Sequence, residues 1–480
     1  MADRGDRRDP GLPIKLGPCS NGEYPPRAAT RLTREAARRA RRWSDERARR
    51  LGMSRREFLL STMGAATGLL ALAACSKEES GGRSGGTFEV PEEATTEPDV
   101  ATTVLGGDEP VVDVQTHFLE YPVGSEASFG LGFPQADCGE PDPAGCLGID
   151  NWIAEVFGRS DTTVAVLSAV PVLGEPDPLS AELMAQARDQ LAELCGEGRV
   201  LVQGHGVPNV GDLGAALAAM EDEAARHPLV AWKAYTHAGP PWRLDDADPA
   251  GKQVGGAFLA KVEELGVDVV CVHKGLSGGD PFASPADIGP AAAAHPDLRF
   301  CVYHSGFESN VTEGPYDPAA PNAGADRLVA SLASAGIGPG GNVYAELGST
   351  WRTLMGAPDE AAHLLGKLLV AVGEDRILWG TDSIWYGSPQ DQIDAFRSFQ
   401  ISPELQETHG YPAVTDEVRS KILWRNAADL HGLDPATMPC RIDPAEVQSA
   451  RMSSARDNGT HGPRTWPAAR RLFAAEHPWA

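Results

Sequence analysis

The stretch 376–383 reads Arg-Ile-Leu-Trp-Gly-Thr-Asp-Ser, an apolar run that ends on the carboxylate of Asp382. A buried strand that stops at an aspartate presents that carboxylate at the edge of its sheet. In a (β/α)8 barrel, the carboxyl ends of the strands form the mouth where such enzymes do their chemistry. We therefore take Asp382 as the first catalytic candidate and ask which other side chains share this edge.

Polar and ionisable residues also follow the other apolar runs of the sequence. In chain order they are Asp113, Gln115, His117, Ser168, His205, Lys233, His237, His273, Lys274, His304 and Glu346. So many polar groups at strand ends cannot all be satisfied inside a core, so they predict a polar cup. Imidazole nitrogens and a carboxylate suit zinc and related ions. The sequence therefore predicts one bound divalent metal, with zinc as the first choice.

His117, His273 and Asp382 come from three different strands and are the predicted metal ligands. A bound divalent ion would lower the pKa of a water molecule towards neutrality and polarise a substrate carbonyl. Asp382 would then take the proton from that water. His304 would hydrogen-bond the substrate or a developing oxyanion. Asp382 and His304 are thus the predicted catalytic pair.

Four further residues are assigned to the substrate site: Lys233, His237, Glu346 and Trp379. Lys233 has three interpretations, namely a ligand for a substrate carboxylate, a carbamylated bridging ligand, or a structural ion pair with Glu346. His237 is interpreted as a cup residue or a structural one, and Trp379 as part of the wall.

The elements that must position these residues alternate along the chain. Eight apolar runs are separated by helix-like segments, at 111–114, 163–169, 199–203, 229–234, 267–272, 298–303, 342–347 and 376–379. Runs of this kind are typical of strands buried on both faces, with helices as crossovers. Residues 110–434 are therefore predicted to form a (β/α)8 TIM-like barrel of the α/β class. Long loops after the first and sixth strands, 118–150 and 305–324, would border its mouth as lids or substrate walls.

Four motifs in this order resemble a known family. They are Asp-x-x-x-His at 113–117, Val-Cys-Val-His at 270–273, Val-Tyr-His-Ser-Gly at 302–306 and Ile-Leu-Trp-Gly-Thr-Asp at 377–382. Together they resemble the amidohydrolase-related branch of the amidohydrolase superfamily, which includes aminocarboxymuconate-semialdehyde decarboxylase-like enzymes. Residues 422–433 resemble the helix that closes the domain in that branch. The resemblance implies a TIM-like barrel, a divalent metal, usually zinc, and either hydrolysis or non-oxidative decarboxylation.

Gln115 departs from the pattern of that branch, which usually has His-x-His at the first strand. An amide oxygen is a poorer zinc ligand than imidazole. Gln115 is therefore interpreted as a weak ligand, as a partner of a metal-bound water, or as the mark of a site with reduced affinity.

The main functional prediction is a metal-dependent hydrolase that acts on a small-molecule amide, ester or lactone. The alternative is decarboxylation of an unsaturated or aromatic carboxylic acid, with Lys233 or Arg243 binding the carboxylate. A second alternative is a non-catalytic envelope binding protein on the same fold, since Gln115 breaks the usual ligand pair.

The N-terminal part reads as an export signal rather than as part of the fold. Ser-Arg-Arg-Glu-Phe-Leu at 54–59 is a twin-arginine signature, an apolar run follows to residue 74, and Leu-Ala-Ala-Cys closes it at Cys75. We therefore predict a basic n-region and a signal over 1–75, with lipidation of Cys75. A basic helix is expected over 33–51, although a start at Met53 is an alternative. Residues 76–109 are predicted to be a flexible linker, and 435–480 a C-terminal tail.

Charge and cysteines add the expected partners and address. Residues 57–480 hold 26 basic and 60 acidic residues, which makes nucleic acid an unsuitable partner. The predicted partners are a small-molecule substrate, the twin-arginine (Tat) export machinery and a membrane reached through the lipid anchor; a homo-oligomer is left open. The expected location is the outer side of the cytoplasmic membrane or the periplasm. In that setting Cys138 and Cys146 are the predicted disulfide pair.

Overall fold

The computed structural model describes residues 11–82, 85–120, 146–171, 177–207, 211–247, 251, 253–276, 278–321 and 324–434. Its centre is an eight-stranded parallel sheet in which every strand pairs with the next one along the chain. A bridge between Thr116 and Ser383 and a hydrogen bond from Val114 N to Trp379 O join the first strand to the eighth. The sheet is therefore a nearly closed barrel, and the predicted (β/α)8 architecture is confirmed.

The strands and helices follow one another along the chain. The strands are β1 Gly86–Phe88, β2 Val112–Thr116, β3 Val164–Leu167, β4 Val200–His205, β5 Leu229–Tyr235, β6 Val269–His273, β7 Arg299–Tyr303, β8 Val343–Glu346, β9 Ile377–Leu378 and β10 Phe399–Ile401. The helices are α1 Arg31–Leu51, α2 Arg55–Leu60, α3 Thr62–Glu79, α4 Pro98–Leu105, α5 Ile149–Trp152, α6 Ala181–Cys195, α7 Leu213–Arg226, α8 Gly255–Leu265, α9 Ile288–Ala294, α10 Asp326–Ala335, α11 Thr350–Leu354, α12 Pro358–Ala371, α13 Gln390–Ser398, α14 Pro403–His409, α15 Asp416–Ser420 and α16 Asn426–His431.

Two apolar layers hold this barrel together. Inward-facing residues such as Val112, Val114 and Leu378 fill the barrel and pack against α16. Outward-facing residues such as Trp232 and Trp379 lie in the layer between strands and helices. Because side chains alternate along a strand, residues that follow these runs at the mouth are free to point into the cup.

Residues 85–109 are folded, so the prediction of a flexible linker is wrong for this part of the chain. Strand β1 pairs antiparallel with β10, from Gly86 with Ile401 to Phe88 with Phe399. Phe88, Val90 and Leu105 are buried in the main core. The segment holds few apolar residues, but these few find partners on the outside of the barrel, which composition alone does not reveal.

The N-terminal helices also pack on the barrel. Helix α1 confirms the expected basic helix, and its Ala36, Ala40 and Ala48 form a buried face that contacts α3. Ser54 caps α2 in a capping box with Glu57. Cys75 lies in α3 with its side chain buried. In the described part of the chain, no helix combines the length and the apolar character needed to cross a bilayer.

Three predictions concern residues that the structure does not describe. Cys138, most of the 118–150 loop and the tail 435–480 lie outside the described residues. Cys146 is disulfide-bonded, and its pairing with Cys138 stays a prediction.

Candidate active site

Four residues predicted from the strand ends are buried at the mouth of the barrel. They are His117, His273, His304 and Asp382, each no more than 2% exposed. His304 and Asp382 have left-handed backbone, with φ of 59° at both. Such a conformation is unfavourable for residues other than glycine and is found most often at functional sites.

The first of two neighbouring clusters, here called the Asp382 cluster, contains Gln115, His117 and Asp382. His117 Nε2 lies 3.1 Å from Asp382 Oδ1, and Gln115 Nε2 donates to the same oxygen at 3.1 Å. Ser349 Oγ donates to Oδ2 of Asp382, and Trp385 Nε1 donates to Oδ1 at 3.1 Å. Five polar groups, counting Asn21 below, thus hold this carboxylate in one orientation.

The loop that carries Asp382 is itself fixed by a second buried carboxylate. Asp113 Oδ1 accepts a hydrogen bond from Thr381 N at 3.0 Å, and its Oδ2 accepts one from the hydroxyl of Thr381. Burial raises the pKa of Asp113 to about 7. Asp113 therefore positions the Asp382 loop and has no contact with the imidazoles that could make it a ligand.

The second cluster, here called the imidazole cluster, contains His273, His304 and Glu23. His304 Nε2 lies 3.2 Å from His273 Nδ1, and Glu23 Oε1 lies 3.5 Å from the same nitrogen. One ligand atom from each of the three lies within 4.8 Å of the others. Among the described residues, these three are the set of His, Cys, Asp and Glu side chains that could hold a metal ion.

The predicted ligand set is therefore divided between the two clusters. His273 lies in the imidazole cluster, whereas His117, Asp382 and Gln115 lie in the Asp382 cluster. His304, predicted to hydrogen-bond the substrate, lies instead beside His273 with ligand geometry. The two clusters are joined by Asn21, whose Nδ2 donates to Asp382 Oδ2 at 2.9 Å and to Glu23 Oε2 at 2.5 Å.

Asn21 and Glu23 were missed by sequence reasoning. They lie upstream of the apparent export signal, in a segment interpreted as destined for removal. No pattern around them indicates an active-site role, because their partners are more than 200 residues away in sequence. Only the folded chain brings them to the mouth.

Hydrogen bonds to backbone carbonyls orient two of the imidazoles. His117 Nδ1 lies 2.7 Å from Ser168 O, and His304 Nδ1 lies 2.7 Å from Gly348 O. Only an N–H can face a carbonyl oxygen, so Nδ1 carries the proton in both rings. Carbonyl partners of this kind are typical of metal-ligating histidines, because they leave the Nε2 lone pair facing the site.

The charge state of the cup also suits a divalent cation. Burial lowers the pKa of His304 to about 4 and that of His273 well below its usual 6.5, so both imidazoles are neutral. Burial alone would raise the pKa of Asp382, but hydrogen bonding from His117 and the nearby His304 hold it well below its usual range. Neutral imidazoles beside an ionised carboxylate match the donors that zinc and manganese accept. The residues present therefore fit a divalent metal.

The predicted substrate residues have different positions. The His237 ring lies 4.7 Å from the His273 ring, at the cup. Lys233 Nζ lies over the rings of Tyr303 and Tyr235, at 3.5 and 4.7 Å from their centroids. In the part of the chain that the structure describes, Lys233 Nζ has no hydrogen-bond partner and no ion pair with Glu346.

Glu346 and Trp379 do not line the mouth. Glu346 is fully buried and accepts hydrogen bonds from the backbone N–H groups of His304 and Gly348, at 2.9 and 2.5 Å. It therefore supports the loops that carry cup residues. Trp379 packs on Phe396, with ring centroids 5.1 Å apart, in the layer outside the barrel. Arg243, an alternative carboxylate ligand, is paired with Asp245 at 2.8 Å.

The chain belongs to the amidohydrolase family, whose sequence model, described as "Amidohydrolase", matches residues 112–433. It is accordingly an enzyme, and a divalent metal is the cofactor that this family and the donor set imply. A comparison with curated proteins found no match.

Three solved structures illustrate the shared fold. An uncharacterized TIM-barrel protein from Bordetella bronchiseptica is 15% identical with a TM-score of 0.44, and the match covers 68% of this chain and 99% of that one. 2,6-Dihydroxybenzoate decarboxylase from Rhizobium is 18% identical with a TM-score of 0.38, over 68% and 99%. 5-Carboxyvanillate decarboxylase from Novosphingobium aromaticivorans, solved with manganese and a nitrobenzoic acid, is 12% identical with a TM-score of 0.41, over 68% and 97%.

Proposed function

We propose that this enzyme is a metal-dependent decarboxylase of a small unsaturated or aromatic carboxylic acid. The observation that carries the proposal is the ammonium group of Lys233, which is buried beside the cup without a hydrogen-bond partner among the described residues. A buried charge is costly unless it is paired. A substrate carboxylate is the partner that the cup would admit.

The charge on Lys233 persists at neutral pH. Burial lowers its pKa to about 8, which still leaves most of the side chain protonated at pH 7. The faces of Tyr303 and Tyr235 lie against it, and aromatic faces stabilise a cation without supplying an anion. Lys233 is therefore ready to bind an acid that enters from the mouth.

A metal held by His273 and His304 would act as a Lewis acid on the oxygen atoms of the substrate carboxylate and supply a fixed positive charge. Zinc and manganese both suit this pair of imidazoles. The chain's own residues would then orient the acid: Lys233 binds one side of the substrate, and the His237 ring borders the cup.

Decarboxylation breaks the bond between the carboxyl carbon and its neighbour and leaves the electron pair on that neighbour, which takes up one proton as carbon dioxide leaves. The proton shared by His117 Nε2 and Asp382 Oδ1, 3.1 Å apart, is the one best placed to be delivered. Asp113 and Glu346 keep the loops of the two clusters in position.

Hydrolysis of an amide, ester or lactone is the second candidate. It is favoured by the lowered pKa of Asp382, because an ionised carboxylate can accept a proton from an attacking water. This candidate needs no anion for Lys233, so the lysine separates the two reactions.

The test uses the purified full chain with added Mn²⁺ or Zn²⁺ and a panel of aromatic and unsaturated acids, amides, esters and lactones. We expect metal-dependent release of carbon dioxide from an acid, and loss of that activity with a chelator. Hydrolysis products without carbon dioxide would favour the second candidate. Retained activity in metal-free protein would contradict both.

A matched pair of variants then tests the role of Lys233. Lys233→Met keeps the length of the side chain but removes the charge, and it should lower kcat/KM for the acid by about 10–150-fold, the value of a hydrogen bond to a charged group. Lys77→Met, at an exposed lysine of α3, is the control and should leave kcat/KM unchanged. An unaltered kcat/KM in Lys233→Met would contradict a carboxylate-binding role.

We further propose that the chain is exported through the Tat pathway and anchored by a lipid on Cys75. The support is the twin-arginine signature at 54–59 and the Leu-Ala-Ala-Cys box at 72–75. Replacing Arg55 and Arg56 with lysine should abolish export, and Cys75→Ala should abolish labelling with a fatty acid. Cell fractionation and labelling of the wild-type chain provide the reference; export of the lysine variant would argue against the Tat route.

A further inference from the structure

Residues 11–29 run into the mouth of the barrel ahead of α1. Asn21 is buried there with its amide on Asp382, and Glu23 reaches the imidazole cluster. The carboxylate of Glu23 is thus the only acid contributed to this cluster by the described chain.

Specific polar contacts hold this segment in place. The contacts join Lys15 Nζ to the carbonyl oxygens of Tyr386 and Ser388 at 2.9 and 2.6 Å, Tyr24 OH to the hydroxyls of Tyr386 and Thr353 at 3.0 and 3.1 Å, and Arg27 Nε to Ser309 O at 2.7 Å. Leu12 and Ile14 are also buried. The segment is therefore seated on the barrel by contacts on both sides of Asn21 and Glu23.

A glutamate is an unexpected occupant of this position. It lies near the ionised Asp382, whose charge, together with burial, raises the pKa of Glu23 to about 8. Asn21 and Lys233 act in the opposite direction and favour the charged form. The groups that favour a carboxylate here are thus the same lysine and the same cup that the proposed substrate would use.

We propose that Glu23 occupies the subsite of the substrate carboxylate, so that residues 20–24 act as an internal competitor of the substrate. This inference rests on the proposed function. It assigns His273, His304 and Lys233 to one carboxylate subsite, and it places the amide of Asn21 where a donor group of the substrate would meet Asp382.

The position of the segment in the chain gives the competition a purpose. Residues 20–24 precede the signal, so cleavage before Cys75 would remove them together with it. The uncleaved chain would then have a covered mouth, and the cleaved chain an open one.

The test measures binding of benzoate to the full chain by calorimetry at saturating Mn²⁺, with benzamide as the uncharged probe. We expect Glu23→Ala and the double variant Asn21→Ala/Glu23→Ala to bind benzoate at least about tenfold more tightly than the wild type, while benzamide binding changes little. Glu46→Ala, at an exposed glutamate of α1 with its side chain 57% exposed, is the control and should match the wild type. Glu23→Gln separates charge from shape and should also gain affinity for benzoate.

Metal binding, measured without any substrate, decides between this role and the obvious rival. If Glu23→Ala and Glu23→Gln bind Mn²⁺ more weakly and gain nothing for benzoate, Glu23 serves as a metal ligand and the proposal is overturned. Unchanged benzoate affinity in every variant overturns it as well. Failure of the proposed function is a separate result, because it would appear as absence of carbon dioxide release whatever the benzoate affinity.

Discussion

His205 should make the stability of this enzyme fall as pH rises from 6 to 9. It ends β4 with its side chain buried between two carboxylates. Nδ1 lies 2.9 Å from Glu223 Oε1, and Nε2 lies 3.2 Å from Asp177 Oδ2. Burial alone would lower the pKa of His205, but the bonds to Asp177 and Glu223 more than offset it and raise the pKa to about 10 from an ordinary 6.5.

The sign and size of the effect follow from this shift. A group whose pKa is raised by folding stabilises the fold fully below its unfolded pKa, and the stabilisation is lost as pH rises through the folded pKa. At about 1.4 kcal/mol per pKa unit, the contribution of His205 falls by about 3 kcal/mol between pH 6 and pH 9.

The assay is unfolding by urea at several pH values for the wild type and for His205→Gln, which cannot be protonated. The difference in unfolding free energy between the two should be about 3 kcal/mol larger at pH 6 than at pH 9. His295→Gln is the control, because His295 pairs with Glu263 at the surface and such pairs contribute at most about 1 kcal/mol. A difference between wild type and His205→Gln that does not change with pH would refute the reasoning.

Three further predictions concern the two clusters and the wall. Gln115→His should raise zinc affinity measured by titration, because Gln115 Nε2 lies 3.4 Å from His117 Nε2 and an imidazole there would add a ligand; unaltered affinity would confine the ion to the imidazole cluster. Gly380→Ala should destabilise the fold by about 1–3 kcal/mol in thermal unfolding, because the new methyl would collide with Glu346 Oε1; an unchanged Tm would contradict that packing. Trp379→Phe should lower stability but leave KM unchanged, since the ring faces the outer layer; a raised KM would return Trp379 to the substrate wall.

Much of the barrel could be predicted because its signals are local. Each strand is a short apolar run, each crossover has a helical pattern, and the polar residue after each run marks the mouth. His117, His273, His304 and Asp382 were found in this way. The same logic failed at Trp379, because the two faces of a two-residue strand such as β9 cannot be told apart by alternation.

The linker shows the opposite case. Residues 85–109 are poor in apolar side chains, which is typical of flexible chain, yet β1 pairs with β10 some 300 residues away. Pairing of this kind depends on an available strand edge elsewhere in the fold. No property of the segment itself announces such an edge.

The sequence by itself determined the family, the barrel and the set of imidazoles and acids at its mouth, because strand periodicity and strand-end chemistry are written within a few neighbouring residues. Only the tertiary structure decided how these groups divide into two clusters, that Lys233 lacks a hydrogen-bonding partner among the described residues, and that Asn21 and Glu23 complete the site. Those outcomes depend on distances between residues far apart in the chain, which are set when the barrel closes and the N-terminal segment packs across its mouth.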